Sequence, residues 1–212
     1  MDQPLKLQTK ADLHLARKLW HFFGVLVIAV IFHNLPRTTA LQVITFFTTL
    51  VLAIDISRKH WSQLNRIVIF VFKPFMRERE VNGISGISSL LLGAMLIIFL
   101  FPKIIVSLSL LLLAVADPTA SYFGVLYGKD KLIQGKSLQG TFAAFFVCTV
   151  TSGLFYLING VMTERLFIVA LLSGMIGAVS ELLPIKSWDD NFTFPVLCAI
   201  GLQGVFYVFG GF

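Results

Sequence analysis

Residues 104–127 read IIVSLSLLLLAVADPTASYFGVLY. The run is long enough to cross the ~30 Å of bilayer hydrocarbon as one helix, and its one carboxylate is Asp117. A carboxylate at membrane depth is costly unless something pairs with it, so such a residue reads as part of a site. Asp117, Ser121, Gly124 and Gly128 are spaced 4, 3 and 4 residues apart, which puts them on one helix face if the helix continues. A small-residue packing seam would account for Ser121 and the glycines but not for Asp117. Pro118 is expected to break the helix or to start a new one, and broken membrane helices line polar cavities.

Working outward, the whole chain has the same character. Of its 212 residues 57% are hydrophobic and 13% charged, with a mean hydropathy of +0.85. A soluble domain carries about 25% charged residues, so the chain reads as an all-α, polytopic membrane bundle forming a single integral membrane domain over 1–212. Seven apolar segments read as spanning helices: 19–35, 38–56, 84–101, 103–127, 138–159, 163–183 and 192–212. The stretch 61–76 carries Arg66 and Lys73 among its aromatic and aliphatic residues and reads as an interfacial helix. The first apolar run follows basic residues as a signal peptide does, but it ends His33-Asn34-Leu35-Pro36 without a small-residue cleavage site, so it is expected to be retained. Cys148 and Cys198 lie in apolar runs without metal-ligand spacing and read as packing residues.

With the N-terminus inside, 14 of the 17 Lys and Arg fall on cytoplasmic segments, and only Arg37, Lys103 and Arg165 fall outside. This is a strong positive-inside pattern, and it explains the net charge of +6 without a nucleic-acid partner. The expectation is a multi-pass protein of the lipid bilayer, in the inner membrane if bacterial, with the C-terminus outside. Ten of the 11 acidic residues also lie at or just within the inner face, Glu164 being the exception. Acidic residues do little to set topology, so this second asymmetry points to a polar site on that face. It also argues against a transporter, whose site should lie near mid-bilayer with access from both sides.

The candidate parts of that site follow in chain order. Arg17, Lys18 and His21 precede the first span, with Arg17 and His21 one turn apart. Arg79-Glu80-Val81-Asn82-Gly83 leads into the third, where Asn82 or Ser85 could cap the helix. After Asp117 comes a short loop with Lys129, Lys131, Gly135, Lys136 and Ser137. Its Gly135-Lys136-Ser137 is not a P-loop, because Asp130 stands where the earlier glycine belongs and no strand precedes it. What remains is a helix start at Ser137, with Gly140 in its first turn, flanked by lysines, a pattern suited to phosphate. In the sixth span Gly174, Ala178 and Glu181 share a face, and Asp189, Asp190 and Asn191 follow. Asp190 or Asn191 could simply cap the last span. Carboxylates near phosphate-binding groups are what Mg²⁺ requires.

Taken in order, Arg17-Lys18-Leu19-Trp20-His21, Arg79-Glu80-Val81-Asn82-Gly83, Asp117 through Gly124, Gly135 through Thr141, and Glu181-Leu182-Leu183-Pro184 through Asn191 to Pro195 resemble the CTP-dependent lipid-alcohol kinases. That family comprises dolichol kinase, phytol kinase and the fungal-type diacylglycerol kinase, and it is distantly similar to the CDP-diacylglycerol synthases. The chain departs from the pattern at Ala116 and Gly135, where a Gly or Ser and a second basic residue, respectively, are common. The resemblance implies CTP as donor, a membrane lipid alcohol as acceptor and a divalent cation. The expected scheme has Asp117 with Asp189 or Asp190 holding Mg²⁺, and Lys136 and Lys129 with the Ser137 helix start holding phosphates. Gly124 and Gly128 leave room for the nucleotide. Arg17, Lys18, His21, Glu80, Asn82, Ser121, Gly135, Gly140 and Asn191 support nucleotide binding. Either Asp117 or Glu181 orients the acceptor hydroxyl or takes its proton. The alternatives are a cytidylyltransferase that makes a CDP-lipid and a small ion- or proton-coupled transporter. Nothing in the residues specifies the lipid or an oligomeric state.

Overall fold

The computed structural model of the chain describes residues 15–77, 80–81, 83–183, 185 and 188–211. Its helices are α1 (Leu15–Asn34), α2 (Arg37–His60), α3 (Ser62–Phe72), α4 (Gly86–Leu100), α5 (Lys103–Tyr127), α6 (Leu138–Asn159), α7 (Leu166–Leu182) and α8 (Asp190–Phe209). Short 3₁₀ turns follow α3 and precede α7. The boundaries have local causes. Pro36 and Pro102 stand at the start of α2 and α5. Ser85 caps α4 by accepting from the Ser88 N–H, and Ser137 caps α6 by accepting from Gly140 N–H. Asp189 caps α8, so that helix begins at Asp190 rather than at 192, and Asn191 sits in its first turn. Gly160 ends α6 in the left-handed conformation.

α5 is the centre of the bundle. Its apolar window is 61% buried against 22% for α2, which sets core apart from periphery. α1, α6 and α8 pack on α5, α7 lies between α6 and α8, and α4 lies between α8 and α2. At the α6–α7 crossing, a Cβ on Gly174 would overlap the backbone and side chain of Thr149, so only glycine permits that approach.

Five helical stretches are long and apolar enough to cross a membrane: α2, α5, α6, Thr163–Leu182 and α8. α1 has 20 residues, enough for about 30 Å. α4 is apolar throughout but has 15 residues, a length of about 22 Å at 1.5 Å per residue. α3, with 11 residues and none buried, reaches only about 17 Å and is too short to span, in keeping with an interfacial placement. The expected break at Pro118 does not occur, and α5 runs unbroken from Lys103 to Tyr127 with Pro118 inside it. Proline removes one hydrogen bond, to the Ala114 carbonyl. That loss is tolerated where neighbouring helices hold the segment, and Ala114 and Ala116 are fully buried.

Candidate active site

Four segments meet in one cleft. Leu113 and Asp117 from α5, Lys136 from the loop before α6, Ser180 and Glu181 from α7, and Asp190, Asn191 and Phe194 from α8 line it. The cleft opens to solvent, and the 220 Å³ or so of empty space around it includes that open solvent. The bulk of a nucleotide would lie outside it.

Lys136 is the hub. Its Nζ lies 3.0 Å from Glu181 Oε1 and 3.9 Å from Asp190 Oδ2, and it also donates to the Glu181 main-chain carbonyl. The loop that aims it is a tight turn in which Gln134 and Gly135 both have positive φ, closed by Lys136 N–H donating to the Ile133 carbonyl at 3.0 Å. Two consecutive positive φ values are the demand of a type I′ turn. Gly135 therefore serves the turn. The loop base is tied down by Gln139, which accepts from the Lys129 and Asp130 N–H groups and donates to Asp130 Oδ2.

A second chain of contacts reaches the cleft from α1. Asn191 Nδ2 donates to the Gly86 carbonyl at 3.1 Å, which turns Asn191 Oδ1 toward His21 Nε2, 2.8 Å away. An amide oxygen only accepts, so Nε2 carries the hydrogen. The other ring nitrogen, Nδ1, then faces Asp117 Oδ2 at 3.9 Å. One turn earlier, Arg17 donates to the Phe75 carbonyl at 2.8 Å and lies 3.2 Å from Glu80 Oε1. Lys18 Nζ is buried without a hydrogen-bond partner among the described residues, within range of the Asp117 charge. A buried ammonium without a partner suits an anionic ligand.

The side chains of Asp117 and Asp190 are 30% and 33% exposed and line the same cleft. Among the described residues no group of three or more His, Cys, Asp or Glu forms a protein-only metal cage. Two open carboxylates suit Mg²⁺, which binds through one or two carboxylates together with substrate phosphates. Asp189, the third carboxylate named for the metal, has other partners. It caps α8 by accepting from Asn191 N–H at 3.0 Å, its Oδ2 lies 3.5 Å from Arg77, and it does not line the cleft.

The expected phosphate site at the start of α6 is also filled by the protein itself. Ser137 is buried and accepts from Gly140 N–H. A Cβ on Gly124 or Gly128 would press on Ser137, and one on Gly140 would lie 2.5 Å from the Ala120 carbonyl. These glycines bring α6 against α5 rather than opening room for a nucleotide. Ser121 and Lys129 likewise stand outside the cleft lining. Asn82, with Glu78, Arg79, Pro184 and Lys186, lies outside the described residues.

Asp55 and Arg58 of α2 were not singled out by the sequence. They form a buried ion pair, Arg58 Nε to Asp55 Oδ1 at 2.8 Å, with side chains 4% and 1% exposed respectively. The available signal was a carboxylate inside an apolar run with an arginine three residues on, the spacing at which helix side chains meet.

Comparison with known proteins points to a family. The chain is 33% identical over 210 residues to the CTP-dependent diacylglycerol kinase 1 of Eremothecium gossypii, covering 89% of this chain and 66% of that protein. It is 34% identical over 155 residues to the protein of that name from Schizosaccharomyces pombe, covering 68% of this chain and 71% of that one. With the Saccharomyces cerevisiae protein the identity is 28% over 213 residues, covering 91% and 73%. The chain thus spans just under two thirds of the length of the Eremothecium relative. No family model matches the chain, and no solved structure matches it.

Proposed function

The chain belongs to the CTP-dependent lipid kinase family, and on that footing we propose that it transfers a phosphoryl group from CTP to the hydroxyl of a membrane lipid alcohol. Diacylglycerol, the acceptor in the relatives' names, is the first candidate, ahead of a polyprenol or phytol. The reaction takes place at the cytoplasmic face, the side that the Lys and Arg distribution favours. The observation that carries the reading is the meeting of Asp117, Lys136, Glu181 and Asp190 in one cleft at the ends of α7 and α8.

Phosphoryl transfer needs positioning and charge neutralisation more than covalent chemistry. Lys136 supplies a cation that can move from Glu181 to a phosphate oxygen. Lys18, whose ammonium is buried without a partner, and Arg17 add positive charge on the α1 side. Asp117 and Asp190 would hold Mg²⁺, which neutralises phosphate charge when bound. As Lys136 turns to phosphate, the Glu181 carboxylate is freed to accept a hydrogen bond from the acceptor hydroxyl. Glu181 is favoured over Asp117 for that task because Asp117 would be taken up by the metal. Asp189 positions the start of α8.

The test is incubation of purified protein and Mg²⁺ with γ-labelled CTP or ATP and a panel of lipid alcohols. A labelled phospholipid formed with CTP and one alcohol, with CDP released, is the expected outcome. A CDP-lipid with pyrophosphate would instead make the protein a cytidylyltransferase. Chelation with EDTA should stop the reaction and added Mg²⁺ restore it; activity that survives chelation would remove the metal from the scheme.

A further inference from the structure

We infer that Asp55 and Arg58, which are not among the residues lining the cleft, are positioning residues for nucleotide binding, acting through the backbone that joins α3 to α4. The inference rests on the kinase reading above and adds to it a device outside the cleft.

The pair holds that backbone from two sides. Arg58 donates through one terminal nitrogen to the carbonyls of Glu80 and Gly83, at 2.7 and 2.6 Å. Asp55 Oδ2 accepts from the Ser85 N–H at 2.8 Å, and from the hydroxyls of Ser85 and Ser88 at 2.7 Å each. Its other oxygen lies against Arg58. Both side chains are almost wholly buried. Buried ion pairs contribute little net stability compared with apolar residues of the same size. Four hydrogen bonds to and from a connecting segment are more than packing α2 against α4 requires.

The clamped segment carries two groups that steer the α1 side of the site. Glu80, whose carbonyl Arg58 holds, presents its carboxylate to Arg17 at 3.2 Å. Gly86, the first residue of the helix that Ser85 caps, offers its carbonyl to Asn191, and Asn191 sets the ring of His21 beside Asp117. A displacement of 80–86 would therefore move Arg17 and His21 together while leaving Lys136 and Glu181 in place. Both affected groups belong to the nucleotide side of the proposed site, so the consequence falls on CTP rather than on the alcohol.

The experiment uses the purified chain carrying Arg58→Gln, Arg58→Lys or the charge-neutral double variant Asp55→Asn/Arg58→Gln, which avoids leaving one buried charge alone. Steady-state kinetics are read with CTP and with the alcohol, and amide hydrogen exchange is read over 80–89 and over α5–α8. The expected result for Arg58→Gln is a KM for CTP about tenfold higher, the scale of loss seen when an outer partner of a site residue is removed. The KM for the alcohol stays unchanged, and faster exchange is confined to 80–89. Arg58→Lys, which keeps the charge and can still donate to carbonyls, should fall between Arg58→Gln and the wild type. Variants with the wild-type KM for CTP, or exchange that rises equally in α5–α8, would overturn the inference and leave the pair a role in folding alone. Failure of the wild-type protein to phosphorylate any alcohol would instead overturn the kinase reading, and the exchange pattern would still decide whether the clamp holds this segment.

Discussion

The two ends of the bundle carry the same types of cation and use them differently. At the end where α1 and α4 finish, Arg37 donates to the carbonyls of Ile98 and Phe99, and Lys103 donates to the Leu35 carbonyl. These are the unsatisfied last carbonyls of helices, and a cation there completes the structure. At the other end Lys136 and Arg17 also donate to carbonyls, those of Glu181 and Phe75, but each faces a carboxylate as well: Lys136 faces Glu181 and Asp190, and Arg17 faces Glu80. Each of these carboxylate pairs joins groups from different elements, and its members are side chains that can exchange partners. A carbonyl at a helix end offers no such exchange. A cation held by a carboxylate can be passed to a phosphate, since both are anions of similar geometry. The difference separates an end that is finished from an end that is poised.

The first way to break this contrast is to neutralise Asp117. Asp117→Asn keeps the shape of the side chain and removes its charge from the cleft. The expected result is a fall in kcat of about 10³-fold, the upper range for loss of one preorganised electrostatic group, with thermal stability unchanged. Turnover near the wild-type rate would show that the cleft is not where the chemistry occurs. The second is Lys136→Gln, with an expected fall in kcat/KM for CTP of about 10²-fold. Combining it with Glu181→Gln sharpens the reading. If the pair only supports the fold, the double variant recovers stability and activity together. If Lys136 serves phosphate, stability recovers while activity stays low, a coupling that a double-mutant cycle resolves.

These effects concern residues that stood out in the sequence for a physical reason. Asp117 and Glu181 were legible because a carboxylate in an apolar helix demands a partner. The end points of α5 and α6 were legible because Pro102, Gly128, Ser137 and Gly160 punctuate long apolar runs. Asp189 and Asp190 were not separable. Adjacent carboxylates at a helix start divide between cap and cleft by one step of backbone, and sequence gives no sign of which way each turns. The small residues Gly124 and Gly128 were read as room for a ligand. In the structure the start of α6 fills that room, because a missing side chain says that something comes close but not what. Pro118 was read as a break since its local cost is evident, whereas the packing of α1, α6 and α8 that holds α5 together depends on contacts distant in sequence. Asp55 and Arg58 escaped notice because Arg58 counted toward the inner basic excess, and their shared task appears only when Glu80, Gly83, Ser85 and Ser88 meet α2.

The smallest expected effect comes from the finished end. Arg37→Gln removes the cation that closes α4 but leaves every side chain of the cleft in place. Arg37 is exposed to solvent, so its charge on the helix terminus is worth about 1 kcal/mol or less. For a chain of this size that amounts to a lowering of the apparent thermal midpoint by about 2–4 °C. The kinetic constants for CTP and alcohol should stay within about twofold of wild type, the scatter expected of a surface change distant from the site. Measured side by side with Lys136→Gln, the two variants should move different quantities: one the midpoint, the other kcat/KM. A rise in the KM for CTP in Arg37→Gln would mean that α4 carries the disturbance along its length to Gly86 and Asn191, and the two ends would then have to be treated as one coupled unit.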